Sequence, residues 1–191
     1  MKSRILLSFI IVFFIFSVSA QPDSSFSKAT YFNSIHAGGL LGKKGNGSSL
    51  TASTIHGIRN KNFAFGIGIG YDAYLEWRTL PVFGSLSYDF AGFRENAFFM
   101  QLNVGYSKAW NPLADDDQFV YDKKGGSYIH PLLGYRIHSH KFSLYLTAGY
   151  KLQRIAYEQT PKWWIWGYPA NKVTVERDME RLSVQLGFGL H

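Results

Sequence analysis

Apolar and polar side chains alternate along most of this chain. Phe63, Phe65, Ile67, Ile69 and Tyr71 fall on one side of a two-residue period; Ala64, Gly66, Gly68, Gly70 and Asp72 fall on the other. Successive side chains of an extended strand point to opposite faces, so this segment predicts a two-sided strand. The pattern recurs. Phe98, Met100, Leu102, Val104 and Tyr106 oppose Phe99, Gln101, Asn103, Gly105 and Ser107. Phe142, Leu144, Leu146, Ala148, Tyr150 and Leu152 oppose Ser143, Tyr145, Thr147, Gly149, Lys151 and Gln153. Leu182 to Leu190 opposes Arg181 to Gly189 in the same way. Beyond the first twenty residues no stretch carries a helical period. The pattern predicts eight strands, over 31–41, 49–58, 63–71, 80–90, 97–109, 127–137, 142–158 and 173–190. Pro131 lies within the sixth and lacks an N–H, which predicts a bulge or a strand start there.

One face of these strands is large and apolar, and the other is small or polar. An eight-stranded barrel has an interior just wide enough for filling side chains or one small ligand. The apolar faces are too bulky to fit inside one, whereas the Gly/Ser/Asn/Gln faces fit. The apolar face therefore points outward into apolar surroundings. That is the pattern of a transmembrane barrel, with roughly 9–11 residues per crossing. Closure leaves no unpaired strand edge in lipid. The competing architecture is a secreted β-sandwich, which would bury the apolar faces between two sheets.

Connection lengths separate the two. With both termini periplasmic, the second, fourth and sixth connections should be short turns. They are Arg59-Asn60-Lys61-Asn62, a stretch near 91–96, and His138-Ser139-His140-Lys141. The fifth runs over 110–126 and the seventh over about 159–172, both long. Aromatic residues sort by end in the same frame. Phe63, Tyr88, Phe90, Phe98, Tyr135, Phe142 and Phe188 fall near the periplasmic rim, and Tyr71, Trp77, Tyr106, Trp110 and Tyr150 near the outer rim. Two such girdles suit the headgroup regions.

Residues 1–20 stand apart. Lys2 and Arg4 precede an apolar run from Ile5 to Phe16, and Val18-Ser19-Ala20 ends on small residues. This is the form of a secretory signal peptide cleaved after Ala20, and the run is too short for a spanning helix of roughly 20 residues. A short polar lead-in follows over 21–29, then the barrel domain over 30–191. Removal of the signal lowers the net charge of +7 by two. The chain has no Cys, which excludes disulfide staples, thiolate metal sites, a Cys nucleophile and a lipidated N-terminal Cys. With 17% charged and 17% aromatic residues it is not a disordered chain.

The signal segment, the Phe63–Tyr71 strand, the Gly105-Tyr106, Gly134-Tyr135 and Gly149-Tyr150 pairs and the alternating final strand together resemble the small bacterial outer-membrane β-barrel proteins, the OmpA-barrel and OmpX-like group. The resemblance covers most of residues 30–191. It implies an all-β, eight-stranded antiparallel up-and-down transmembrane barrel in a Gram-negative outer membrane. The implied partners are outer-membrane lipid, lipopolysaccharide and the barrel-insertion machinery. The chain departs from the group at its end, Phe188-Gly189-Leu190-His191, where members often finish on Phe.

Candidate chemistry is sparse. There is no phosphate loop, dinucleotide fingerprint or metalloprotease helix. Gly66, Gly68 and Gly70 alternate with Phe and Ile on a strand and open no helix. His138 with His140, and Asp115-Asp116-Asp117 with Asp122, read as solvated turn and loop residues rather than metal ligands. Neither a cofactor nor a metal is expected. A lipid-modifying barrel enzyme, of acyltransferase or deacylase type, would need a His beside a Ser near a rim, oriented by a carboxylate. His36, His56 and His130, with Ser34, Ser53, Ser127 and Glu158, are candidates, and linear spacing selects no triad and no catalytic residue. Asp89, Arg136, Lys151, Arg181 and Gln185 are expected to point inward as a polar plug, with a narrow gated pore as the alternative.

The seventh connection carries Trp163, Trp164, Trp166 and Tyr168, either a surface-binding loop for an extracellular protein or glycan or part of the rim girdle. The basic excess suits anionic lipopolysaccharide. An exported barrel is not expected to meet nucleic acid. The reading is a non-enzymatic barrel with a structural or surface-binding role; a lipid-modifying enzyme and a soluble secreted β-domain are the alternatives.

Overall fold

The computed structural model describes residues 29–42, 47–74, 77–93, 96–110, 119–139, 141–161 and 173–190. Nine strand segments run in chain order: β1 (Thr30–Leu41), β2 (Ser48–Asn60), β3 (Phe63–Ala73), β4 (Arg78–Phe93), β5 (Asn96–Trp110), β6 (Phe119–Lys124), β7 (Gly126–His138), β8 (Phe142–Pro161) and β9 (Val173–Leu190). Every pairing is antiparallel and each strand follows its neighbour in sequence, except that β6 and β7 both pair with β8. β9 pairs with β8 on one side and β1 on the other, which closes the sheet. The β6 and β7 segments are one stave broken at Gly125, so the closed barrel has eight staves in up-and-down order.

The β6 segment corrects the expected fifth connection over 110–126, part of which continues the barrel wall. It pairs with an extension of β8 that also runs past the expected end at 158. The register of β8 with β6 (Lys124↔Ala156) differs by one residue from that with β7 (Tyr128↔Gln153). One extra residue on a strand is a bulge, and it sits beside Gly125. Neither the bulge nor the strand start expected at Pro131 is found, since β7 begins at Gly126 and runs through it. The ladder to β8 skips His130 and Pro131, yet Ile129↔Leu152 and Leu132↔Gly149 keep one register across the gap. Missing its N–H, Pro131 removes a rung without adding a residue. The second connection shrinks to Lys61-Asn62, with Lys61 left-handed at φ 52°.

The two faces divide as the alternation requires. Leu186 is 69% and Ile67 74% exposed, whereas the intervening polar positions of β5, β8 and β9 are buried. Outward on β9 lie Leu182, Val184, Leu186, Phe188 and Leu190, followed above by Glu180, Asp178 and Glu176. Nine residues from Leu182 to Leu190 match one crossing of the hydrocarbon. Near the end with the short turns the outward rings touch in a belt. Phe63 meets Tyr88 at 4.7 Å, Phe98 meets Tyr135 at 4.6 Å, and Phe142 stacks on Phe188 at 5.7 Å between centroids.

Glycine makes the interior fit. A Cβ at Gly134 would come within 2.4 Å of the Phe99 ring, at Gly68 within 2.5 Å of the Phe83 ring, and at Gly187 within 2.5 Å of the His36 ring. Each inward ring lies over a cross-strand position that has no side chain, which is how an eight-stave lumen holds aromatic residues at all.

Candidate functional site

The lumen is filled in layers. At the end with the short turns Asp89 of β4 accepts from Arg59 Nη1 of β2 at 2.7 Å and from Arg136 of β7 at 2.6 and 3.3 Å. Two cations share one half-buried carboxylate, and the Arg59 guanidinium also lies 5.6 Å from the Phe32 ring centre. A fork-shaped guanidinium can hold a carboxylate by two bonds, as Arg136 does.

The middle layer carries two buried histidines. His36 Nε2 lies 3.1 Å from Ser34 Oγ, and its ring packs 5.3 Å from Tyr145. His130 Nε2 lies 2.7 Å from Ser183 Oγ, and its Nδ1 lies 3.1 Å from the Tyr128 hydroxyl. Tyr128 stacks on Phe83 at 5.3 Å.

Above them, Lys151 Nζ donates to Asp72 Oδ1 at 2.7 Å and to Thr51 Oγ1 at 3.1 Å, while Thr51 donates to Asp72 Oδ1 at 2.6 Å. Both charged side chains are almost fully buried, so each depends on the other to offset lost hydration. Gln153 donates to Ser107 at 2.8 Å and accepts from the Tyr74 hydroxyl at 3.0 Å. The Arg181 guanidinium lies 5.6 Å from the Tyr74 ring centre and donates to the Glu180 carbonyl at 3.0 Å.

An apolar cap lies across the end with the long connections, made by Leu40, Tyr74, Trp77, Ala109, Ile155 and Met179, with Tyr157 stacked on Trp77 at 5.2 Å. Trp77 was expected in the outer girdle. It is instead inside the mouth, on the inward parity of Thr79, Pro81 and Phe83, where it packs in the buried cluster with Met179 and against Tyr157.

The five inward residues expected from sequence face the lumen, Arg136, Lys151, Arg181 and Gln185 buried and Asp89 partly so, in separate groups rather than as one plug. Asp89 and Arg136 pair at one end, Lys151 and Arg181 stand near the other, and Gln185 receives the Thr147 hydroxyl on its backbone carbonyl at 3.5 Å. Their partners Arg59, Asp72, Thr51 and Tyr74 were missed. The sequence placed Asp72 on the small face of its strand, and that was the only available signal.

His56 faces outward on β2, held by the Tyr31 hydroxyl at 2.8 Å and Thr54 at 3.3 Å. His138 Nδ1 lies 2.9 Å from Ser143 Oγ in the sixth turn. The Ser183–His130 contact was also missed. Its third member is a tyrosine, so the geometry supplies a hydrogen-bonded pair without the carboxylate that a triad uses. Among the described residues no group of three His, Asp or Glu could hold a metal ion. Residues 1–20, Asp115–Asp117, His140 and the loop with Trp163, Trp164, Trp166 and Tyr168 lie outside the described residues.

The outer rim is charged unevenly. On β8 and β9, Arg154 pairs with Asp178 at 2.9 Å and approaches Glu176 at 3.8 Å, and Tyr150 donates to Glu180 at 2.8 Å. The hydrogen bond from Arg154 holds the Asp178 carboxyl below its ordinary range. On β4 and β5, Arg78 and Lys108 point outward above the apolar band.

A crystal structure of Neisserial surface protein A (NspA) superposes on 85% of this chain and 98% of its own, with a TM-score of 0.58 and 14% identity. The outer membrane protein OprG from Pseudomonas aeruginosa matches 85% of this chain and 96% of its own, with a TM-score of 0.61 and 14% identity. The fold is that of the small bacterial outer-membrane barrels. No family model matches the chain, and no curated protein matches it. At 14% identity the likeness is one of fold alone.

Proposed function

We propose that this chain is an exported outer-membrane barrel of a Gram-negative bacterium, with a structural or surface-binding role exercised through its extracellular connections. The observation that carries this reading is the Lys151 ammonium, held by Asp72 and Thr51 across the lumen beneath the apolar cap. A porin-like conduit needs an aqueous path, and an eight-stave barrel whose centre is occupied by such a group has little room for one. Function then falls to the outside. The signal-like segment 1–20, with cleavage after Ala20, supports export. The aromatic loop with Trp163, Trp164, Trp166 and Tyr168 offers a surface for an extracellular protein or glycan. Outer-membrane lipid and lipopolysaccharide would surround the belt, and the barrel-insertion machinery would assemble it.

Fractionation of expressing cells, with gel mobility of heated and unheated samples, tests the location. A detergent-requiring band that shifts on heating is the expected result. A protein that stays monodisperse without detergent would overturn the reading in favour of a secreted β-domain. The lipid-modifying alternative is separated by the acyl-chain profile of lipopolysaccharide in a deletion strain. An unchanged profile is expected; a changed one restored by the wild-type chain but not by His130→Ala would assign chemistry to the His130–Ser183 pair.

A further inference from the structure

The outer rim holds two kinds of cation. Arg154 is neutralised by Asp178 and Glu176, and Lys124 pairs with Glu158. Arg78 and Lys108 have no ion pair among the described residues. The strand register brings these two together. Leu80 stands opposite Lys108 and Arg78 opposite Trp110, so Arg78 and Lys108 are diagonal neighbours on one face of the β4–β5 ladder. Diagonal neighbours on one sheet face are about 7–8 Å apart, within the reach of two long side chains that converge on one group. Both residues are exposed and share the outward parity of Val82, Val104 and Tyr106.

Their height matters as much as their charge. On β5 the outward face is apolar from Phe98 to Tyr106, nine residues, and Lys108 is the next outward position. On β4 Arg78 follows Leu80 and Val82. The cations therefore stand one step above the apolar belt, where acyl chains end and headgroup phosphates begin. Tyr106, 57% exposed, sets an amphipathic ring between belt and cations. A long side chain that leaves an apolar surface with its charge uppermost suits an anionic amphiphile whose chains lie below.

We propose that the β4–β5 rim binds the phosphates of the lipid A part of lipopolysaccharide through Arg78 and Lys108, with its acyl chains along Val82, Val104 and Tyr106. Arg78 supplies the bidentate fork and Lys108 the point charge. On the β8–β9 rim the carboxylates of Glu176, Asp178 and Glu180 stand outward beside Arg154, with Arg177 exposed between them, so the cations there already have acidic neighbours and offer the same groups less attraction. This rests on the outer-membrane location proposed above.

The test uses the full-length barrel refolded in zwitterionic detergent and titrated with bisphosphorylated lipid A, with phosphatidylglycerol and dephosphorylated lipid A as comparison probes. The Arg78→Ser/Lys108→Ser double variant is expected to bind lipid A at least tenfold more weakly. The Lys141→Ser variant, altered at the opposite end, keeps full affinity, and Arg78→Lys keeps part of it. The wild-type barrel prefers bisphosphorylated over dephosphorylated lipid A. Equal binding of phosphatidylglycerol would reduce the site to a general anionic-headgroup contact and overturn the assignment. Unchanged lipid A binding by a double variant that still shifts on heating would overturn it as well. Replacing Trp163, Trp164 and Trp166 by Ala leaves lipid A affinity intact, so failure of the loop-binding role and failure of this site are distinguishable.

Discussion

Lys151 and Asp72 meet at 2.7 Å inside the barrel, 79 residues apart in sequence, with side chains 2% and 0% exposed. A buried charge that loses its partner keeps its desolvation cost without compensation. Lys151→Met and Asp72→Leu should therefore each destabilise the barrel by about 3–5 kcal/mol. The double variant removes both charges and should recover most of that loss. Urea unfolding in lipid vesicles measures all three. Strictly additive losses would mean that the two residues are not coupled.

Phe99 lies over Gly134, where a Cβ would approach its ring to 2.4 Å. Gly134→Ala should cost about 1–3 kcal/mol through forced repacking. Phe99→Leu in the same chain should offset part of that cost, because the clash involves the ring. The temperature at which gel mobility shifts would report both, and an equal penalty with or without the ring would refute the contact.

Leu186 is outward and central in the apolar run of β9, and Glu180 begins the charged rim. An arginine at 186 should cost about 2–4 kcal/mol in a bilayer, whereas Glu180→Arg should cost at most about 1 kcal/mol. Similar costs at the two positions would remove the membrane boundary drawn between them.

Asp178 is held below its ordinary value by the hydrogen bond from Arg154. A depressed carboxyl contributes stability above its unfolded value of about 3.9 and loses it as the pH falls through the folded value. The thermal midpoint should fall on acidification through that window, and Asp178→Asn should reduce the fall. Added salt should shrink the effect, since the pair is solvent-exposed. A pH profile identical in the variant would show that the pair does not contribute.

Several features were legible because they are local. Phe63–Ala73 carries its two faces in its own order of residues, and so do Phe142–Leu152 and Leu182–Leu190. Inward polarity at Asp89, Arg136, Lys151, Arg181 and Gln185 follows from the same period. Trp77 was misplaced because the expected strand began only at Leu80; the inward parity of Phe83, Pro81 and Thr79 runs on to it. The strand segment 119–124 was read as loop because it lacks clean alternation; its partner is the extended part of β8.

The alternation of large apolar with small polar residues, by itself, determined the strands, the outward face and the closed barrel, since each is a property of successive residues and of how much volume eight staves can enclose. Tertiary structure alone decided which inward groups meet. Asp89 finds Arg59 and Arg136, Asp72 finds Lys151, His130 finds Ser183, and Trp77 turns in onto Tyr157. Those partners lie on different strands, and the shear of the closed sheet, which no single strand encodes, sets their relative heights.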